Sequence, residues 1–198
     1  LSAFSSGKQE PDLPCKKFDG RSIAGKRRSQ LRRKATDVML ELIASAQAVG
    51  LSAKYVLFDS WFSSPKTLIS LKEKCHMDTI ALIKKNKTKY LYEGQNLNIK
   101  QIYSKNRKRR GRSKYLLSVN VTLKKDDEAL PARIVCVRNK SNRKDWLALI
   151  STDTNLSEEE LIRVYGKRWD IEVFFKSCKS YLKLVKECRS ISRSEEHT

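Results

Sequence analysis

The stretch beginning Ser157-Glu-Glu-Glu160 has a pattern that fits one secondary structure only. Ser157 stands three residues before Glu160, which makes a capping box, and three acids fill the first turn of the helix it opens. Leu161, Ile162, Val164, Trp169, Ile171, Val173, Phe174 and Phe175 then surround much of the cylinder. A helix so apolar is expected to be mostly buried, with its polar stripe facing a cleft. That stripe is Tyr165, Arg168, Glu172 and Lys179, whose offsets of 3, 7 and 14 bring them within an arc of roughly 60° on a continuous helix. A carboxylate flanked by two cations and a phenol suits a group that holds a metal ion while its neighbours grip phosphate. Simple surface pairing of Arg168 with Glu172, four residues apart, is the plainer alternative.

A second element carries an acid at a telling place. Tyr55-Val-Leu-Phe58 reads as a short buried strand with Asp59 at its end, and Ser63-Ser64-Pro65 opens a helix through Lys74. In α/β folds, the C-terminal end of a strand is where ligands and catalytic groups gather. A turn aspartate that merely leads into the helix is the alternative for Asp59 alone. Trp61 and Trp169, close in sequence to these acids, read mainly as core.

Charge narrows the partner. The chain carries 42 Lys and Arg against 22 Asp and Glu, a net charge of +20 that self-repulsion makes unfavourable unless a polyanion binds. The densest cluster is Lys105 to Lys114, with Arg107, Lys108, Arg109, Arg110 and Arg112 as candidate DNA contacts, and a solvated loop as the other reading. Smaller clusters lie at Lys84-Lys85 with Lys87 and Lys89, and at Lys26-Arg27-Arg28 with Arg32 to Lys34. No run approaches the length of a membrane span. Five cysteines, odd in number and without a Cys-x-x-Cys pair, read as free thiols of a reducing cytosol, not as zinc ligands or disulfides. No glycine-rich phosphate loop occurs, so nothing supports use of a nucleoside triphosphate.

The remaining pattern orders the elements. Residues 1–30 are irregular. Arg32 to Val49 reads as an amphipathic helix with Val38, Leu42, Ile43 and Ala46 inward and Gly50 as its stop. A strand follows at Thr79–Ile83. Residues 88–145 are basic, alternate, and read as hairpins, with clear strands at Tyr115–Leu123 and Ala132–Val137. Trp146–Ile150 is a further strand that returns the chain to the capped helix.

Taken together, Tyr165, Arg168, Glu172 and Lys179 at this spacing, downstream of Asp59 with Trp61-Phe62, resemble the DDE transposases of the bacterial insertion-sequence-four family. The likeness spans nearly the whole chain. It implies an α/β, ribonuclease-H-like catalytic fold with a β-rich insertion between the second aspartate and the glutamate. In those terms residues 31–87 and 146–190 form the core, 88–145 the insertion and 1–30 an irregular lead-in. The resemblance also implies two-metal phosphoryl transfer, with Asp59 and Glu172 as ligands of Mg²⁺ (Mn²⁺ as substitute) and Tyr165, Arg168 and Lys179 on backbone phosphates. The substrate would be double-stranded DNA, at transposon ends and target, in the bacterial cytoplasm at the nucleoid, with a homodimer on DNA among the assemblies it permits. The first catalytic aspartate of the family has no match. Asp12, Asp19 and Asp37 do not end apolar strands, and the chain is expected to be a fragment, inactive alone, whose open sheet favours aggregation. Residues 191–198 resemble a translated sequencing adapter, so His197 carries no functional weight. A non-catalytic nucleic-acid-binding module and a nuclease of the same fold are the competing readings.

Overall fold

Four apolar residues, Tyr55–Phe58, form β1 at one edge of a seven-stranded sheet, and everything that positions the acids follows from its register. The computed structural model describes residues 21–23, 25, 33–139, 142 and 144–181. Its helices are α1 (Ala35–Ala48), α2 (Pro65–Cys75), α3 (Ile99–Lys105), α4 (Glu158–Gly166) and α5 (Arg168–Tyr181). The other strands are β2 (Asp78–Ile83), β3 (Lys89–Tyr92), β4 (Gln95–Asn98), β5 (Leu117–Lys125), β6 (Glu128–Arg138) and β7 (Trp146–Ser151). The sheet order is β1-β2-β7-β6-β5-β3-β4, parallel only between β1 and β2 and antiparallel elsewhere. The fold is thus mixed α/β. The β-rich stretch is continuous with β1 and β2, because β7 pairs with β2 on one side and β6 on the other.

Local chemistry explains most boundaries. Ser64 caps α2 by accepting from the Thr67 N–H at 3.2 Å, and Pro65 fills its first position. Asn98 and Gln101 close a full capping box on α3, a short helix that the alternating pattern around it concealed. Positive φ at Glu93 and Gly94 forms the two-residue turn that joins β3 to β4.

Alternation along the strands splits the core into two faces. One face buries Phe58, Ala81, Ile134, Ala148 and Ile150 against α1, α2 and α3. The other is smaller: Ile80, Val135, Leu149 and Tyr115 pack beneath Leu161 of α4, with Tyr165 and Ile162 partly buried beside them. On α1 the inward side is Val38, Met39 and Leu40, with Ile43 packed at its margin; Leu42, expected inside, is 55% exposed. No helix among the described residues is long and apolar enough to cross a membrane.

The late helix departs from expectation in two ways. It is not continuous: Lys167 N–H donates to the Val164 carbonyl at 3.1 Å and Asp170 N–H to the Lys167 carbonyl at 3.0 Å. These three-residue steps tighten the backbone just after Gly166, a weak helix former, and split the rod into α4 and α5. Nor is the second half buried. Among the described residues nothing covers α5, which has no buried residue and leaves Trp169, Ile171, Val173 and Phe174 about 60% exposed.

Candidate active site

Strand direction gathers the functional groups at one end of the sheet. β1, β2 and β6 run one way, β5 and β7 the other. The end that follows β1 therefore collects Asp59, Lys84 and Lys85 after β2, the β6–β7 turn, and the basic segment before β5. From β1 to β5 is four strand spacings, or about 19 Å.

Asp59 closes β1 as expected and is exposed. Its Oδ1 accepts from the Ser60 backbone N–H at 2.5 Å, which fixes the carboxylate in the turn. Across from it, Arg168 Nη1 donates to Glu172 Oε1 at 2.8 Å within the first turn of α5. The two acids act on the same pair of neighbours. Burial pushes the Tyr165 phenol up, Arg168 opposes that, and the charges of Asp59 and Glu172 raise it further. For Arg168 burial works against the charge, but Tyr165, Glu172 and Asp59 outweigh it and hold the guanidinium more firmly protonated. Asp59, Tyr165, Arg168 and Glu172 thus form one electrostatic cluster, assembled from β1, α4 and α5. Lys179 lies on α5, exposed, two turns beyond Glu172.

Two atoms in the cluster are conspicuous. Tyr165 Oη and Arg168 Nε are buried, and neither has a hydrogen-bond partner of normal geometry. Buried donors without partners are unfavourable and rare, and both point to an acceptor that a ligand would bring. On the other side of Arg168 lies a groove of about 500 Å³ between α1, β1 and the start of α5, lined by Ile43, Leu51, Val56 and Ile171.

The donor set also bears on a metal. Asp59 and Glu172 offer hard oxygens, the ligand class of Mg²⁺, which binds through one or two carboxylates together with substrate phosphates. They fit such an ion. Among the described residues no group of three or more acidic, histidine or cysteine side chains converges as a metal site. Asp37 lies exposed on α1, while Asp12 and Asp19 fall outside the described residues, so no described residue stands as the earlier aspartate.

The basic segment is held in place. Arg138 donates to the Ser113 and Gly111 carbonyls at 2.6 and 2.9 Å, and Arg109 N–H donates to the Leu116 carbonyl at 2.7 Å. Lys108 Nζ lies 4.6 Å over the Tyr103 ring, and the Arg109 guanidinium 4.4 Å over Tyr115. Arg107 and Arg109 line a polar cavity of about 380 Å³ together with Arg133 and Glu158; Arg110 and Arg112 are exposed beside it. Arg133, fixed by the Leu156 carbonyl at 2.8 Å, was not legible as a site residue from a strand pattern alone.

Both tryptophans read as core are at the surface. Trp61 is 69% and Trp169 60% exposed. The reason for Trp61 is the turn: Phe62 packs on Phe58 with ring centroids 5.7 Å apart, and that inward residue turns its neighbour out. Trp169 sits on the uncovered side of α5.

A protein-family model described as a transposase DDE domain matches residues 21–197. No curated protein matches the chain significantly.

Proposed function

The chain belongs to the transposase DDE domain family, and from that membership we propose that it carries out divalent-metal-dependent phosphoryl transfer on double-stranded DNA. The reaction is cleavage at the ends of a mobile element and joining of those ends to target DNA. The observation that carries this reading is the convergence of Asp59 and Glu172 on the Tyr165–Arg168 pair. Within the family, the spacing of Tyr165, Arg168, Glu172 and Lys179 supports a reading of the chain as one of the insertion-sequence-four branch.

Asp59 and Glu172 would hold Mg²⁺, or Mn²⁺ in its place. When bound, such ions activate an attacking hydroxyl and stabilise the leaving oxygen. The chain's own residues do the positioning. The Arg168 guanidinium, beside the Tyr165 phenol, would donate to a phosphate oxygen while keeping its grip on Glu172. That link ties the orientation of the acid to the presence of the phosphate. Lys179 adds a point charge farther along α5. Arg107, Lys108, Arg109, Arg110 and Arg112, at the same end of the sheet and about 19 Å across, would hold the backbone of the flanking duplex.

The test is Mg²⁺-dependent cleavage and joining of terminal-repeat DNA, with Asp59→Asn and Glu172→Gln as variants. Both substitutions should abolish joining while leaving DNA binding in place. Joining that survives either one removes that acid from the site. Turnover without joining would favour a nuclease, and binding without turnover in the unaltered protein would favour a plain binding module.

A further inference from the structure

The segment between α3 and β5 has no helix or strand of its own, yet it is closed into a defined shape. It concentrates seven cations within residues 105–114. A stretch so charged repels itself and, left alone, extends into water. Several contacts hold it folded. The Arg109 N–H donates to the Leu116 carbonyl at 2.7 Å, and the Lys114 ammonium meets the Glu159 carboxylate of α4 at 2.7 Å. Both members of that ion pair are exposed, so it contributes little. The firmest contact is Arg138, at the end of β6, whose two terminal nitrogens donate to the Ser113 and Gly111 carbonyls at 2.6 and 2.9 Å. They clamp the turn that Gly111 makes at a φ of +75°. The backbone beneath is itself tied down: Leu116 N–H donates to the Cys136 carbonyl at 2.7 Å, and Arg138 pairs with Trp146 in the β6–β7 ladder.

Charge alone would keep Arg138 out of this place. An eighth cation beside seven is repelled by all of them. What it supplies is geometry, because a planar fork spanning two carbonyls fixes the turn where a single-point donor would not. Its terminal nitrogens are spent on the loop, while Arg110 and Arg112 stand exposed on the turn it clamps. A loop ordered in advance loses less entropy when a polyanion docks, and the polyanion relieves the repulsion that the clamp maintains. We infer that Arg138 is a positioning residue: it staples residues 105–114 into a preformed cradle for the duplex backbone and contacts no phosphate itself. The inference rests on the proposed function for the identity of the polyanion, double-stranded DNA.

The experiment measures duplex affinity by anisotropy across a salt series and, without DNA, the rate at which trypsin cuts within residues 105–114. Arg138→Gln removes the clamp. Duplex affinity should fall about 10-fold, the effect of losing one charge-assisted hydrogen bond, while the slope of log affinity against log salt stays unchanged. Arg138→Lys keeps the charge without the fork and should be weakened to a similar degree. Arg110→Ala, by contrast, should lower the slope by about 0.9, as a lost phosphate contact does. Trypsin cleavage of the segment should rise about 10-fold in Arg138→Gln, because cutting follows the open population of the loop. Arg138 is exposed, so the thermal midpoint should move by no more than about 3 °C. If affinity holds, if it falls together with the slope, if trypsin cleavage does not rise, or if the midpoint drops further than that, the staple is wrong while the proposed function stands. If the unaltered protein binds no duplex, the proposed function falls and the staple with it.

Discussion

Leu161→Ala tests whether α4 is what holds the catalytic cluster to the sheet. Leu161 is fully buried and is the only buried residue of α4, seated on Ile80, Tyr115, Val135 and Leu149. The substitution removes three carbons at about 0.8 kcal/mol each and leaves a cavity that the strands beneath, tied on both sides, cannot fill. The expected loss is about 3 kcal/mol. For a chain of this size that lowers the midpoint of a thermal melt by roughly 6–12 °C, read by circular dichroism. Phe174→Ala is the control: the ring is 62% exposed on α5, and its removal should cost no more than about 0.5 kcal/mol. A Leu161→Ala shift of under about 3 °C, or a Phe174→Ala shift as large as that of Leu161→Ala, would refute the packing described above.

The basic segment predicts a salt effect. Replacing Arg109 and Arg110 by alanine should reduce the slope of log affinity against log salt by about 0.9 for each lost phosphate contact, equally for unrelated duplexes; a change confined to one DNA sequence would contradict it. Burial pushes the Cys136 thiol up to about 12 and raises Cys75 as well, so in the native protein neither should be alkylated by iodoacetamide near pH 8. Peptide mass spectrometry that finds either one labelled before unfolding would oppose that. Glu158 lies below its ordinary value of 4.5, held there by its own backbone N–H and the Ser118 hydroxyl, and helped against burial by Arg133 and Arg109. A depressed carboxyl stabilises the fold above that value and loses its contribution as pH falls through the folded pKa. Glu158→Gln should therefore flatten the acid limb of stability below about pH 4.5 in urea melts.

The local units were legible because each is written in contiguous residues. Ser64-Pro65 and the apolar run before Asp59 form the cap and strand their chemistry dictates, and Ser157 caps α4 through the Glu160 N–H; the capping box stays half made, because the Glu160 carboxylate turns to Arg163. What the sequence hid depended on neighbours far along the chain. Whether Trp61 turns inward is decided by Phe62 meeting Phe58, and Trp169 is exposed because no described element covers α5. The inward side of α1 shifted to Met39 and Leu40 because α1 packs chiefly through its first half, which leaves Leu42 outside. The break at Gly166 was visible only as a weak helix former amid strong ones. Arg133 became a site candidate only once the fold set it on the wall of the cavity that Arg107 and Arg109 also line.

Titration of the Tyr165 phenol, followed by carbon NMR of ring-labelled tyrosine, tests most directly whether the strand-end acid and the helix acid share one site. Burial raises this phenol first, and both carboxylates raise it further. Removing a nearby negative charge makes the phenolate easier to form, so Asp59→Asn and Glu172→Gln should each lower the Tyr165 pKa, and the double variant should lower it more. If either single variant leaves the titration where it was, that carboxylate is not beside Tyr165 and the site as described does not exist.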